Sequence, residues 1–190
     1  MMESLLEWER NAFLWINGTH TSVLDALFWP FAGILVWCPL LLVPLYFIWR
    51  RPRNWIPALI AMVLIPVFCF IASELLFKPF FTRFRPTTHP AFMDVVTILR
   101  EYTADGLYGF ISGHTTNAFG FAVLTLLLIK NKVYTVFILF WAFLMAYSRV
   151  YLGAHFITDV TGGMIVGILL GVFTYILYGY LSRRYFNIND

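Results

Sequence analysis

Apolar stretches dominate the chain, at about residues 24–49, 55–77, 115–129, 133–148 and 160–181, separated by short basic or polar segments and one long one. A helix needs roughly 20 mostly apolar residues to cross the hydrocarbon core, so the third and fourth stretches must borrow a turn from their flanks. Pro30, Pro39, Pro44, Pro57 and Pro66 fall in the first two stretches. Proline is tolerated in a span where neighbours satisfy the freed carbonyl, so these positions predict kinks and not loops. Ahead of the spans, Leu5, Trp8, Ala12 and Trp15 recur at helical spacing opposite Glu3, Glu7 and Arg10. That is the pattern of an amphipathic helix lying on a membrane surface. The expected fold class is all-α, a polytopic transmembrane helical bundle of about five spans with an N-terminal interfacial helix, residues 1–190 forming a single integral-membrane domain.

The basic residues orient the bundle. Arg50, Arg51 and Arg53 lie between the first two stretches, Lys130 and Lys132 between the third and fourth, and Arg183 and Arg184 after the fifth. The positive-inside rule puts all of them on the cytoplasmic side. The N-terminus, the loop 78–113 and the turn 148–159 then share the opposite, non-cytoplasmic face. After Pro90 in that loop, Phe92, Val95, Val96 and Leu99 fall on one helical face, which predicts a short interfacial helix, either a lid or plain cover. Asn17-Gly18-Thr19 matches a glycosylation triplet, with a turn the favoured reading.

Composition reinforces the membrane reading: 61% of residues are hydrophobic and 12% charged, far from a soluble average. A net charge of +3, scattered along the chain, excludes a nucleic-acid partner. Cys38 and Cys69 lie in apolar runs and form neither a disulfide framework nor a zinc spacing. The acidic start, with Glu3, Glu7 and Glu9, lacks the form of a signal peptide.

Ionisable groups are expensive at a membrane, so their clustering carries the chemistry. Ser148 to Asp159 holds Arg149, His155 and Asp159 between two hydrophobic segments. His155 and Asp159 are four apart and share a helical face, so the carboxylate can take the Nδ1 proton and leave Nε2 as a nucleophile or base. Arg149 offers the planar fork that suits a phosphate. Lys78, Arg83 and Arg85 put cations in one short loop, and Ser112, Gly113 and His114 add a hydroxyl, a free amide and a second histidine at the start of a span. Glu74 stands one turn before Lys78, placed to neutralise or aim it. Arg83 is an extra phosphate contact or a solvated rim residue, and His20 and His89 read as solvated. Gly163, Gly167 and Gly171 form overlapping Gly-x-x-x-Gly steps suited to close packing against the third or fourth span.

Lys78, six residues, Arg85-Pro86; then Ser112-Gly113-His114; then Ser148-Arg149, five residues, His155, three residues, Asp159: in this order the three stretches resemble the signature of the type 2 phosphatidic acid phosphatase (PAP2) family. Ile111 departs, standing where the family usually has proline. The resemblance implies that His155 attacks phosphorus, Asp159 holds its tautomer, and His114 protonates the leaving oxygen and then activates water. Lys78, Arg85, Ser112, Gly113 and Arg149 would bind the phosphoryl oxygens, with no metal and no cofactor; Glu74 and Arg83 stand outside the motif, and their supporting roles rest on spacing and loop position alone. The partners implied are the bilayer and a lipid phosphate; oligomeric state is open.

The substrate expected is undecaprenyl diphosphate, because a compact chain without a head-group domain suits a simple substrate. Lipid A, phosphatidate and phosphatidylglycerol phosphate are alternatives. A lipid phosphotransferase would keep the site and change the acceptor. A metal triad of His114, His155 and Asp159 is disfavoured by the neighbouring cations, a vanadate-binding haloperoxidase by the lipid-embedded chain, and a transporter or structural protein by the clustering of charge at one surface. A bacterial inner membrane, with the site facing the periplasm or exterior, is the expected location.

Overall fold

The computed structural model describes residues 2–50, 55–90, 92–102 and 106–186. Arg51 and Arg53 lie outside the described residues, as do the side chains of Glu3 and Leu5. The described chain is helical apart from short connections and one long loop, 82–112, which carries a single antiparallel bridge between Phe84 and Tyr108.

The centre is α6 (Gly113–Ile129), apolar nearly all round, as a helix enclosed by others must be. It packs against α8 (Ile157–Phe186), α7 (Lys132–Tyr151) and α4 (Trp55–Phe70). The glycine stripe of α8 sets the closest of these contacts. A Cβ built on Gly167 would stand 2.5 Å from the Thr116 carbonyl oxygen, and one on Gly171 2.7 Å from that of Gly120. The stripe therefore serves packing against the third span, as its spacing predicts.

Trp55–Phe81, α7 and α8 are each long and apolar enough to cross a membrane. At 17 residues α6 is about 26 Å long, a little short of the hydrocarbon thickness. The first apolar stretch is not one straight span. Ser22–Ala32 and Leu35–Trp49 meet at 83°, where Pro30 removes a backbone donor and Gly33 is extended. The segment running out of α4 becomes a π-helical stretch at Ile71–Phe77 before α5 (Lys78–Phe81). Thr21 caps α2 (Ser22–Phe28), Asn131 caps α7, and Ser112 caps α6.

Helix α1 (Met2–Asn17) is the expected N-terminal helix, with one face against the bundle that its apolar spacing does not mark. Trp8 and Trp15 do face outward, but Glu9, Phe13 and Asn17, four apart in turn, are buried against the bundle. The Asn17 amide donates to the carbonyls of Thr97 (3.0 Å) and Tyr151 (2.9 Å) and accepts from the Thr97 N–H (2.8 Å). It thus ties α1, the loop between α5 and α6 and the end of α7 together, and its burial removes it as a glycosylation acceptor.

The outer-loop helix expected after Pro90 is replaced by turns at residues 92–95 and a 3₁₀ turn at Leu99–Glu101. Arg100, at φ 49, breaks any helical continuation. Phe92 and Val96 still face inward, packing on Phe13, Val150 and Phe156.

Candidate active site

The turn between α7 and α8 places the central residues. Gly153 adopts a positive φ of 74, letting the chain reverse, and Ala154 donates back to the Arg149 carbonyl (2.9 Å). His155 follows, buried, and Asp159 lies in the first turn of α8. The Arg85 Nη1 donates to His155 Nε2 at 2.9 Å. A guanidinium can only donate, so Nε2 presents its lone pair there and the proton sits on Nδ1. Nδ1 faces Asp159 Oδ2 across 3.6 Å, an ion-pair distance longer than the hydrogen bond that the spacing predicts. Oδ2 is instead taken by the Phe156 N–H at 2.9 Å. Burial, then the charges of Arg85, Lys78 and Arg149, hold the His155 pKa well below its usual value and favour the neutral imidazole.

Arg85 is aimed by the Phe84–Tyr108 bridge. Its N–H donates to the Leu107 carbonyl (3.1 Å), and the Gly109 N–H donates to the Arg83 carbonyl (2.8 Å). Side chains alternate along an extended strand, so Arg83 and Arg85 face one side while Phe84 points away. A Cβ on Gly109 would stand 3.2 Å from both Arg85 Cγ and Asp159 Oδ2, so a methyl there would press on both groups.

The other expected phosphate ligands reach the same region with part of their capacity used. Arg149, fully buried, donates to Ser148 Oγ, the Phe31 carbonyl and, at 3.4 Å, the Tyr102 hydroxyl. Ser112 Oγ accepts from the Thr115 hydroxyl (3.1 Å) and amide, and the Ser112 N–H donates to the Asp159 carbonyl (3.0 Å). Ser112 therefore couples α6 to α8 as well as capping α6. Ile111, at the departing motif position, is wholly buried against Gly162. His114 lies within electrostatic reach of Arg149, His155, Arg85 and Lys78, which brings all three sequence motifs to one place.

Glu74 pairs with Lys78 as the spacing predicts. It also approaches the start of α6, where a Cβ on Gly113 would stand 3.0 Å from Glu74 Oε1. A carboxylate near a helix N-terminus is favourable. Glu74, His114 and Asn117 form the polar end of a groove of about 490 Å³ whose walls are Trp37, Leu41, Met62, Ile65, Pro66, Phe70 and Phe121.

Arg83 is engaged by protein groups. Its Nη1 donates to Asp159 Oδ1 (2.8 Å) and to the Thr158 hydroxyl, its Nη2 to Glu9 Oε2 (2.6 Å), and its plane lies over the Phe156 ring. His89 packs edge-on against Phe92 and Phe156, and His20 bonds Asp25 (2.6 Å) beside Tyr151, so neither is the solvated residue its loop context predicts. Glu9, Phe31, Tyr102 and Gly109 carry no motif signal. Only Glu9 had a local one, its i, i+4, i+8 register with Phe13 and Asn17. Among the described residues no group of three or more His, Cys, Asp or Glu side chains gathers to hold a metal ion.

Comparison with known proteins agrees with this geometry. The model of the PAP2 superfamily matches residues 54–183. A lipid A 4'-phosphatase of Porphyromonas gingivalis is 41% identical over 186 residues, covering 97% of this chain and 78% of that one. A lipid A 4'-phosphatase of Bacteroides thetaiotaomicron is 30% identical over 188 residues, covering 97% and 83%. The crystal structure of Aquifex aeolicus LpxE aligns with a TM-score of 0.63 at 29% identity, over 86% of this chain and 92% of that one. A PAP2-type phosphatidylglycerolphosphate phosphatase from Bacillus subtilis shares the fold, with a TM-score of 0.73 at 21% identity over 95% and 89%. With the three motifs converging on one buried histidine and a family match across most of its length, the chain belongs to the PAP2 superfamily.

Proposed function

We propose that this chain is a lipid A phosphatase, removing the 4'-phosphate by a two-step displacement at the non-cytoplasmic face of the membrane. The observation that carries the substrate is the similarity, over 97% of this chain, to two lipid A 4'-phosphatases. It displaces undecaprenyl diphosphate, which chain compactness alone had favoured.

In the first step His155 Nε2 forms a bond to phosphorus while the bond from phosphorus to the sugar oxygen breaks, and His114 protonates that oxygen. In the second, water attacks the phosphohistidine, giving its proton to His114 and returning the electron pair to Nε2. The neutral imidazole suits the first step, and Asp159 stabilises the charge that builds on the ring. Arg85 Nη1 must move from Nε2 to a phosphoryl oxygen as the substrate seats. Lys78, Arg85, Arg149 and the Gly113 amide then hold the equatorial oxygens, where most of the stabilisation in phosphoryl transfer arises. Acyl chains would lie against the apolar groove that ends at His114.

Helix direction supports the membrane orientation. Lys130, Lys132, Arg183 and Arg50 fall at helix ends away from the site, while α4, α6, α7 and α8 all bring their other ends to it. The inner membrane of a bacterium, with the site facing the periplasm, follows from that asymmetry and from the substrate.

The test is phosphate release by purified protein in detergent, with chelator present, from lipid A and undecaprenyl diphosphate in parallel. Mass spectrometry locates the phosphate lost, and His155→Ala serves as the control. Loss of the 4'-phosphate, abolished in the variant, supports the reading. Release from undecaprenyl diphosphate alone overturns the substrate, and full activity of His155→Ala overturns the mechanism.

A further inference from the structure

We infer that Glu9 and Arg83 are positioning residues that fix the Asp159 carboxylate opposite His155, so that the N-terminal helix is part of the catalytic apparatus. The inference rests on the reading of His155 and Asp159 as the reacting pair. Asp159 does not find its place through His155, since Nδ1 and Oδ2 are 3.6 Å apart. It is held by the Phe156 N–H on Oδ2 (2.9 Å) and by Arg83 Nη1 on Oδ1 (2.8 Å).

Arg83 is held in turn. Glu9 Oε2 accepts from its Nη2 (2.6 Å), and Glu9 Oε1 accepts the N–H (3.0 Å) and hydroxyl of Thr158, the residue before Asp159. Glu9 thus grips both the guanidinium and the first turn of α8. Its side chain is only 6% exposed, and a buried carboxylate needs such partners. The strand alternation that aims Arg85 at His155 aims Arg83 at Asp159, so the two arginines divide the dyad between them. Both terminal nitrogens of Arg83 are engaged and one face is covered by Phe156, at 4.8 Å, which leaves this fork poorly placed to bind phosphate.

Charge balance gives Glu9 a role beyond packing. Arg83 serves two carboxylates, so Glu9 draws part of its charge away and leaves Asp159 free to act on the imidazole. Without Glu9 the guanidinium would turn wholly to Asp159. Without Arg83 the two carboxylates would lose the cation they share.

The experiment measures kcat, KM and inhibition by inorganic phosphate, per folded molecule in detergent, for Arg83→Gln, Glu9→Gln, Asp159→Asn and the double variant Arg83→Gln/Asp159→Asn. By analogy with residues that orient a first ligand, Arg83→Gln should lower kcat about 10–100-fold, and Glu9→Gln less. KM and phosphate inhibition should stay within about twofold, and Arg83→Gln should add less than about threefold once Asp159 is Asn. Arg83→Lys, which keeps the cation but not the fork, should recover part of kcat and supplies a folded variant should the glutamine fail. A raised KM or weakened phosphate inhibition with kcat kept would make Arg83 a phosphate ligand and overturn the inference. So would losses that multiply in the double variant. If Asp159→Asn is fully active, the underlying dyad reading fails; if it is impaired while Arg83→Gln is not, only the positioning role fails.

Discussion

Gly167→Ala tests how far the site depends on the α6–α8 contact. The added methyl would lie 2.5 Å from the Thr116 carbonyl oxygen, 3.0 Å from the Gly120 nitrogen and 3.1 Å from Phe119 Cβ. Ordinary contact begins near 3.4 Å, so the methyl is about 0.9 Å too close to its nearest neighbour. Two of those neighbours are helix backbone, which cannot rotate out of the way, so α6 and α8 must separate or slide. Overpacking of this kind costs about 1–3 kcal/mol, and for a chain of this size each kcal/mol moves Tm by about 2–4 °C, giving a loss of about 2–12 °C. The strain also reaches the site. One turn up, a Cβ on Gly163 would sit 2.8 Å from the Ser112 carbonyl oxygen, and Ser112 donates to the Asp159 carbonyl. A shift of about 1 Å at reacting groups can cost around 100-fold in rate. Thermal unfolding in detergent and phosphate release from lipid A measure both effects. Gly179→Ala is the control, because a Cβ there meets nothing within 4 Å, and it should change neither. A Gly167→Ala protein with unchanged Tm and unchanged turnover would refute the packing argument.

Glu74→Gln should lower turnover with little loss of folded protein, since it frees Lys78 from its ion pair beside the start of α6; unchanged turnover in the phosphate-release assay would remove Glu74 from the site. Gly109→Ala should reduce kcat about tenfold or more while leaving Tm within a few degrees, because its methyl presses Arg85 and Asp159 apart by a few tenths of an ångström at the reacting groups. Lowering pH tests the His155 environment: with its pKa held below the usual value of about 6.5, the folded protein stays unprotonated there while the unfolded chain takes up a proton. Stability should therefore fall as pH drops below about 6.5 until the depressed pKa is passed, and His155→Gln should flatten that slope in a Tm-against-pH series.

The chain showed its spans, its glycine stripe and the Glu74–Lys78 pair in sequence because each is a local pattern. Helical spacing is enough to place Lys78 one turn after Glu74, and apolar length is enough to place α7 and α8 across a bilayer. The three motifs were also legible, since topology alone delivers residues 78–85, 112–114 and 149–159 to one end of the bundle. What escaped was whatever depends on which group an already placed side chain chooses. Arg149 could be put at the site, but its bond to the Phe31 carbonyl requires the bend at Pro30 and Gly33, and a continuous apolar run conceals that bend. Arg83 could be put on the rim, but its pairing with Asp159 and Glu9 follows from the Phe84–Tyr108 bridge, which two short loop segments with no strand-like alternation do not announce.

The inward face of α1 is hidden in the sequence for a more general reason. Amphipathic patterns are read on the premise that apolar residues turn inward and polar ones outward, which water enforces on a soluble protein. A helix at the edge of a bilayer has apolar surroundings outside and can keep its polar groups within, provided that they are paired. Trp8 and Trp15 accordingly face outward, at 56% and 72% exposure, while Glu9 and Asn17 are buried with hydrogen-bond partners 74 or more positions away in the chain. In a lipid-embedded chain, then, a polar residue in register with a buried aromatic, as Glu9 is with Phe13, marks an inward contact. Read that way, the spacing of Glu9, Phe13 and Asn17 points at the bundle, and it points there next to the one loop that carries Arg83.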